Sequence, residues 1–148
     1  MKAGDVMTTG AATIKPGATL AEAVRLMIEH RISGLPVVDD GGKLIGIISE
    51  GDFLRRKDGD RMRWIEAFLG DGARIGDLNS RRVEEIMSKE PVSAGVETPL
   101  TEIVDAMEQN NVKRIPIVDD GRVIGIVSRA NLLLALLRKA NNPQGAAR

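Results

Sequence analysis

The chain has 148 residues, 21 basic against 21 acidic side chains, 43% apolar residues and no cysteine. Balanced charge supplies no long-range field for nucleic acid or an anionic membrane, and with only Phe53, Trp64 and Phe68 as aromatic residues, base stacking is argued against too. The absent cysteines exclude disulfides, thiolate nucleophiles and Cys-ligated zinc, and they fit a reducing cytosol.

Taken in order, Met1 to Asp5 lead into no hydrophobic signal segment. The densest apolar stretch, Leu132 to Leu137, is far too short to span a bilayer, so a soluble cytoplasmic protein without membrane insertion is expected. A short extended segment at Thr13-Ile14 precedes a helix on which Leu20, Val24, Met27 and Ile28 recur at helical spacing, with Thr19 and Glu22 placed as a capping box. The run Pro36-Val37-Val38, the turn Asp39-Asp40-Gly41 and the run Leu44 to Ile48 read as a hairpin, followed by a helix from near Gly51. A connector then carries Lys57-Asp58-Gly59-Asp60, an apolar patch at Trp64, Ile65, Phe68 and Leu69 that predicts one short helix, and Gly70-Asp71-Gly72. Beyond it come an extended segment at Val92-Ser93 and a helix on Leu100, Ile103, Val104 and Met107, with Thr98 as its cap and Pro99 at its first position. Pro116-Ile117-Val118, Asp119-Asp120-Gly121 and Val123 to Val127 form a second hairpin, and a helix from near Ala130 ends in a polar tail from Asn141.

These elements are one pattern written twice. Val6-Met7-Thr8 returns as Ile86-Met87-Ser88 and Leu35-Pro36-Val37-Val38-Asp39-Asp40-Gly41 as Ile115-Pro116-Ile117-Val118-Asp119-Asp120-Gly121. Gly42 alone has no counterpart between the hairpin strands. Each half is too small to bury much surface alone, so the halves are expected to fold against each other. The repeat divides the chain into a first motif at residues 1–56, a connector with a short helix at 57–82, a second motif at 83–140 and a flexible tail at 141–148.

Each copy sets an apolar strand before a hydroxyl residue, with an acid or amide three positions on: Gly46-Ile47-Ile48-Ser49-Glu50-Gly51-Asp52 and Gly125-Ile126-Val127-Ser128-Arg129-Ala130-Asn131. Preceded by the Pro-Val-Val-Asp and Pro-Ile-Val-Asp strands, these closely resemble the cystathionine beta-synthase (CBS) domain, and the tandem pair resembles a Bateman module. The resemblance implies an α+β fold of two pseudo-symmetric motifs, each strand-helix-strand-strand-helix, packed through their sheets, with clefts for adenosine-containing ligands such as AMP, ATP, NAD or S-adenosylmethionine. It places ribose on Ser49 and Asp52, and on Ser128 and Asn131 in the second copy, where the carboxylate is lost. An ionised carboxylate at a helix start accepts both hydroxyls of a diol and is kept charged by the helix dipole. Helix capping alone also accounts for Ser49 and Asp52. Phosphate is carried over to Arg114, with Gly34 and Arg129 among the ligand-binding positions, although a solvated strand-edge arginine explains Arg114 equally. Adenine falls to backbone and apolar groups at Thr13, Ile14, Leu35 and Pro36, with Val92, Ser93, Ile115 and Pro116 as equivalents, positions whose apolar character core packing explains just as well.

No catalytic set can be assembled. His30, the single histidine, is expected as a helix C-terminal dipole partner, and the Asp-Asp-Gly pairs as turns rather than metal ligands. The basic residues Arg55, Arg56, Lys57, Arg61, Arg63, Arg81 and Arg82 interleave with acids and read as solvated surface. The expectation is therefore a non-enzymatic, allosteric regulatory module with no obligatory cofactor, responding to a small adenosyl ligand and acting on an unidentified effector protein or domain. The alternative is a ligand-independent dimerisation or interaction module. A homodimer is expected through Met27, Ile28, Met107 and Leu132, Leu133, Leu136 and Leu137, the faces that two small motifs leave uncovered.

Overall fold

The computed structural model describes residues 1–54 and 75–142. The helix expected at Trp64 to Leu69 and the tail beyond Asn142 lie outside the described residues. In order the elements are α1 (Ala3–Val6), β1 (Thr8–Thr9), α2 (Leu20–His30), β2 (Gly34–Val38), β3 (Leu44–Ser49), α3 (Glu50–Leu54), α4 (Ile75–Ser80), α5 (Val83–Ile86), β4 (Ser88–Lys89), α6 (Leu100–Asn110), β5 (Arg114–Asp119), β6 (Arg122–Ser128) and α7 (Arg129–Asn141). The fold is α+β, with two three-stranded antiparallel sheets ordered β2-β3-β4 and β1-β6-β5.

Two compact units result, and their limits are offset from those of the repeat. One is Ala12–Pro91; the other joins Met1–Ala11 to the chain from Val92 onward. Helix α5 and strand β4 thus close the unit that holds the first hairpin, while α1 and β1 close the unit that holds the second. In the first unit Ile14, Leu20, Ala23, Leu35, Val37, Ile48, Val83 and Ile86 form the core. Ala3, Val6, Ile103, Met107, Ile115, Ile117, Val127 and Ala135 form the core of the second. Full burial of a branched side chain contributes about 1.5–3 kcal/mol, so these aliphatic residues support each unit without aromatic filling.

The short strands β1 and β4 were not foreseen, although the Val-Met-Thr and Ile-Met-Ser repeat marks their positions. Thr8 and Thr9 pair with Ile126 and Gly125, and Ser88 and Lys89 pair with Ile47 and Gly46. The glycines are required by this approach: a Cβ at Gly46 would lie 2.7 Å from the Met87 sulfur and 2.9 Å from the Ser88 carbonyl oxygen, and one at Gly125 would meet Met7 and Thr8 at the same distances.

The two hairpins differ where the sequence does. Asp120 and Gly121 both take positive φ, 51° and 80°, and join Asp119 to Arg122 in a two-residue turn. In the first hairpin Asp39 Oδ1 instead accepts the N–H groups of Gly41 and Lys43, each at 2.9 Å, and the extra Gly42 takes φ 84°.

Helix boundaries follow local chemistry. Thr19 caps α2 by accepting the Glu22 N–H at 3.2 Å, His30 is its last residue, and Arg31 leaves it in the left-handed region at φ 53°. On α6 the expected cap is corrected: Pro99 occupies the cap position and Leu100 opens the helix, while the Thr98 hydroxyl accepts the Gly95 N–H at 3.0 Å. Proline is thus one position earlier than expected, and Thr98 closes the preceding turn instead. Asn111 ends α6 at φ 52°. Of the residues expected at a dimer surface, Met107 is buried in the core, and Met27 and Leu132 pack against the cores of their units. Ile28, Leu133, Leu136 and Leu137 are exposed, at 71%, 67%, 63% and 57%.

Candidate functional site

In each unit the end of a hairpin meets the start of a helix, and the hydroxyl and acid-or-amide residues of the repeat meet there. Ser49 closes β3 opposite Gly34, and Asp52 lies three residues on in α3. The Ser49 backbone N–H donates to Asp52 Oδ2 at 2.7 Å, and its hydroxyl reaches the same oxygen at 3.5 Å. Ser88, brought in by β4, reaches Asp52 Oδ1 at 3.5 Å. Among the described residues Asp52 is the one charged side chain that is buried, 8% exposed.

The second unit repeats this arrangement with different chemistry. Ser128 closes β6 opposite Arg114. Its backbone N–H and its hydroxyl donate to Asn131 Oδ1 at 2.7 and 2.8 Å, and the Ser128 oxygen accepts the Asn131 N–H at 3.4 Å. The Asn131 amide donates to the Val6 carbonyl at 2.9 Å and to the Thr8 hydroxyl at 3.2 Å. Asparagine therefore fastens α7 to the α1–β1 segment through two donors that a carboxylate lacks. Ser88 and Thr8 were missed as partners of these residues; their shared place in the 80-residue repeat is the signal that points to them.

The extended segments ahead of the helices are each held by one parallel bridge rather than a strand, Ile14 to Val37 and Ala94 to Ile117. Ile14 donates to the Pro36 carbonyl at 3.0 Å and accepts from Val38 at 2.9 Å; Ala94 donates to Pro116 at 3.1 Å and accepts from Val118 at 2.8 Å. The structural partners of Thr13 and Ile14 are accordingly Ser93 and Ala94, one position beyond the expected Val92 and Ser93. The slip arises because the apolar alternation of Val92-Ser93-Ala94 fixes no register by itself.

Leu35, Pro36, Ile115 and Pro116 are fully buried, which leaves their backbone rather than their side chains for a ligand. Thr13 and Ile14 line a hollow of about 450 Å³ with Lys15, Gly17, Ala18, Glu22 and Leu26, and Ser49 and Asp52 lie outside that lining. Arg114 is half-buried, whereas Lys113 and Arg129 are exposed and are tied by a bond from the Arg129 N–H to the Lys113 carbonyl at 3.2 Å. At the matching place in the first unit, the Glu50 N–H donates to the Ser33 carbonyl at 2.9 Å. Among the described residues no three His, Cys, Asp or Glu side chains converge as metal ligands, and no helix is long and apolar enough to cross a membrane.

A duplicated hairpin with a serine at the strand end and its acid or amide partner on the next helix is the signature of an established family, and the CBS domain model matches residues 3–59 and 83–138. The chain belongs to the CBS domain family, as a tandem pair. It is 33% identical over 146 residues, 98% of its length, to inosine-5'-monophosphate dehydrogenase of Methanocaldococcus jannaschii, and spans 25% of that enzyme. It is 28% identical over 138 residues, 84% of its length, to the chloroplastic CBS domain-containing protein CBSX1 of Arabidopsis thaliana, and spans 58% of it. Among solved structures it is similar to CBSX2 in complex with AMP, at TM-score 0.72 and 28% identity over 93% of this chain and 96% of that one. The CBS domain pair of MJ0100 in complex with 5'-methylthioadenosine and S-adenosyl-L-methionine matches at TM-score 0.70 and 27% identity, over 94% of this chain and 98% of that one.

Proposed function

We propose that this chain is a regulatory module that binds an adenosine-containing ligand of the AMP, ATP, NAD or S-adenosylmethionine type and carries out no chemical step on it. The observation that carries the reading is the serine with its acid or amide partner at the strand-to-helix junction of both units. Asp52, buried beside Ser49 and Ser88, suits a ribose diol, since a carboxylate accepts two hydroxyl hydrogens. The binding of AMP by CBSX2, and of two adenosyl compounds by the MJ0100 pair, supports the same class of ligand. Adenine is assigned to the backbone of Thr13, Ile14, Leu35 and Pro36 and to that of Val92, Ser93, Ile115 and Pro116. Ligand binding would act by linkage, favouring one state of the module and so biasing an effector domain or protein.

Association without ligand is the second reading, favoured by the exposed Leu133, Leu136 and Leu137 on α7. A homodimer that covers these leucines is compatible with both readings. Thermal denaturation in the presence of AMP, ATP, NAD and S-adenosylmethionine separates them. A ligand that binds only the folded protein raises the midpoint by mass action, by about 2.7 kcal/mol of stability at a hundredfold excess over Kd. Unchanged midpoints with all four would sink the ligand reading and leave association as the function.

A further inference from the structure

The duplication supplies an internal control, because four corresponding positions surround the same strand-to-helix junction in both units. In the first unit they are Ser33, Gly34, Glu50 and Asp52; in the second they are Lys113, Arg114, Arg129 and Asn131. Two carboxylates are thus exchanged for three cations and an amide on one backbone arrangement. Arg114 stands directly opposite Ser128 across the ladder, and opposed residues project from the same sheet face, so the guanidinium shares its face with the serine hydroxyl. The first unit has Gly34, with no side chain, at that place opposite Ser49. Arg129 is also the first residue of a 13-residue helix whose first turn holds no acid. A cation there opposes the helix dipole, whereas the other helices of eight residues or more, α2 and α6, carry Glu22 and Glu102 in their first turns. An anion seated between Arg114 and Arg129 removes that opposition and is favoured by the same helix start.

We infer that the junction at Lys113, Arg114, Ser128 and Arg129 is a phosphate site, selective for ligands with an extended anionic phosphate chain, and that the junction at Ser49 and Asp52 is not. The inference rests on the nucleotide-binding reading and deepens it: the two units take ligands of different charge, a polyphosphorylated nucleoside at the second and an uncharged or cationic one at the first.

Calorimetry with adenosine, AMP, ATP and inorganic tripolyphosphate, at low and high salt, tests this, with amide NMR to locate each ligand. ATP is expected to bind the second unit about tenfold or more tightly than adenosine, as charge-assisted contacts do, and to weaken as salt rises. Tripolyphosphate is expected to shift the amides of Ser128 and Arg129 and to leave those of Ser49 and Glu50 in place. Arg114→Gln should lower ATP affinity about tenfold while adenosine binding holds. Arg129→Gln, at an exposed position, carries the same test if the strand substitution impairs folding.

Adenosine and ATP binding equally, or either substitution weakening both alike, would overturn the phosphate site while leaving the nucleotide reading intact. Tripolyphosphate binding that depends on Arg114 or Arg129, with no binding of any nucleoside, would support the anion site and overturn the nucleotide reading. No binding by any of the four compounds overturns both.

Discussion

Asp52 and Asn131 occupy the same place in the duplication and do different work. Asn131 links Ser128 to Val6 and Thr8 through both faces of its amide. Asn131→Asp removes both donors and sets a carboxylate against the Val6 carbonyl, so a loss of about 1–3 kcal/mol is expected in urea denaturation. Asp52→Asn retains an acceptor for the Ser49 N–H and removes only charge. Its unfolding midpoint should stay near that of the parent, while calorimetry should show the ligand that binds the Ser49 junction weakened several-fold; unaltered affinity would remove Asp52 as the ribose ligand. Glu85 offers a pH test. The Arg82 backbone N–H, with Arg81 beside it, holds its carboxyl below the ordinary value of 4.5. A lowered folded-state pKa means that this cap of α5 contributes fully above the ordinary glutamate range and is lost as pH falls through the folded value. The carboxyl carbon of Glu85 should accordingly titrate below 4.5 by NMR.

Strand contacts explain why the repeat conserves its shape between copies and where it departs. Gly46→Ala would push a Cβ into Met87 and the Ser88 carbonyl, and Gly125→Ala would do the same to Met7 and Thr8. Each should cost about 1–3 kcal/mol, as other overpacked sites do, with early loss of amide protection at β4 or β1 respectively. Removal of Gly42 tests the opposite case. It converts Asp39-Asp40-Gly41-Gly42-Lys43 into the order found in Asp119-Asp120-Gly121-Arg122, whose two-residue turn is already present in the other unit. Stability within about 1 kcal/mol of the parent is expected, because the replacement turn is one of the favoured hairpin types. Both hairpins and both long amphipathic helices were legible in the sequence because turn chemistry and helical spacing are local signals. Strands of two residues carry no such periodicity, and the cap on α6 was misplaced because Thr98 had two competing acceptors' roles, one at the helix and one in the turn at Gly95.

The pairing of Ser49 with Asp52 and of Ser128 with Asn131 was likewise readable from spacing, whereas the involvement of Thr8 with Asn131, 123 residues away, was not. Neither was the membership of the units, since pairing between distant segments leaves no trace in local composition. That membership can be tested by deleting residues 1–11. Ala3, fully buried, and Val6, 5% exposed, leave the second core, and β6 loses β1. Hydrogen exchange should then show protection lost in α6, β5, β6 and α7 while the Ala12–Pro91 unit retains its own. Uniform loss across both units would show that they unfold as one.

The assignment of Met1–Ala11 to the later unit also sets an order of events during synthesis. Translation adds about 5–20 residues per second, so these first residues wait on the order of ten seconds before α7, to which Asn131 and Arg138 bind them, has been made. The Ala12–Pro91 unit is continuous in the chain and can close once Pro91 has emerged. Throughout that interval Ala3, Val6 and Met7 form an apolar leader without its core, and a nascent chain paused after Pro91 would present one finished body with a loose arm available to a chaperone.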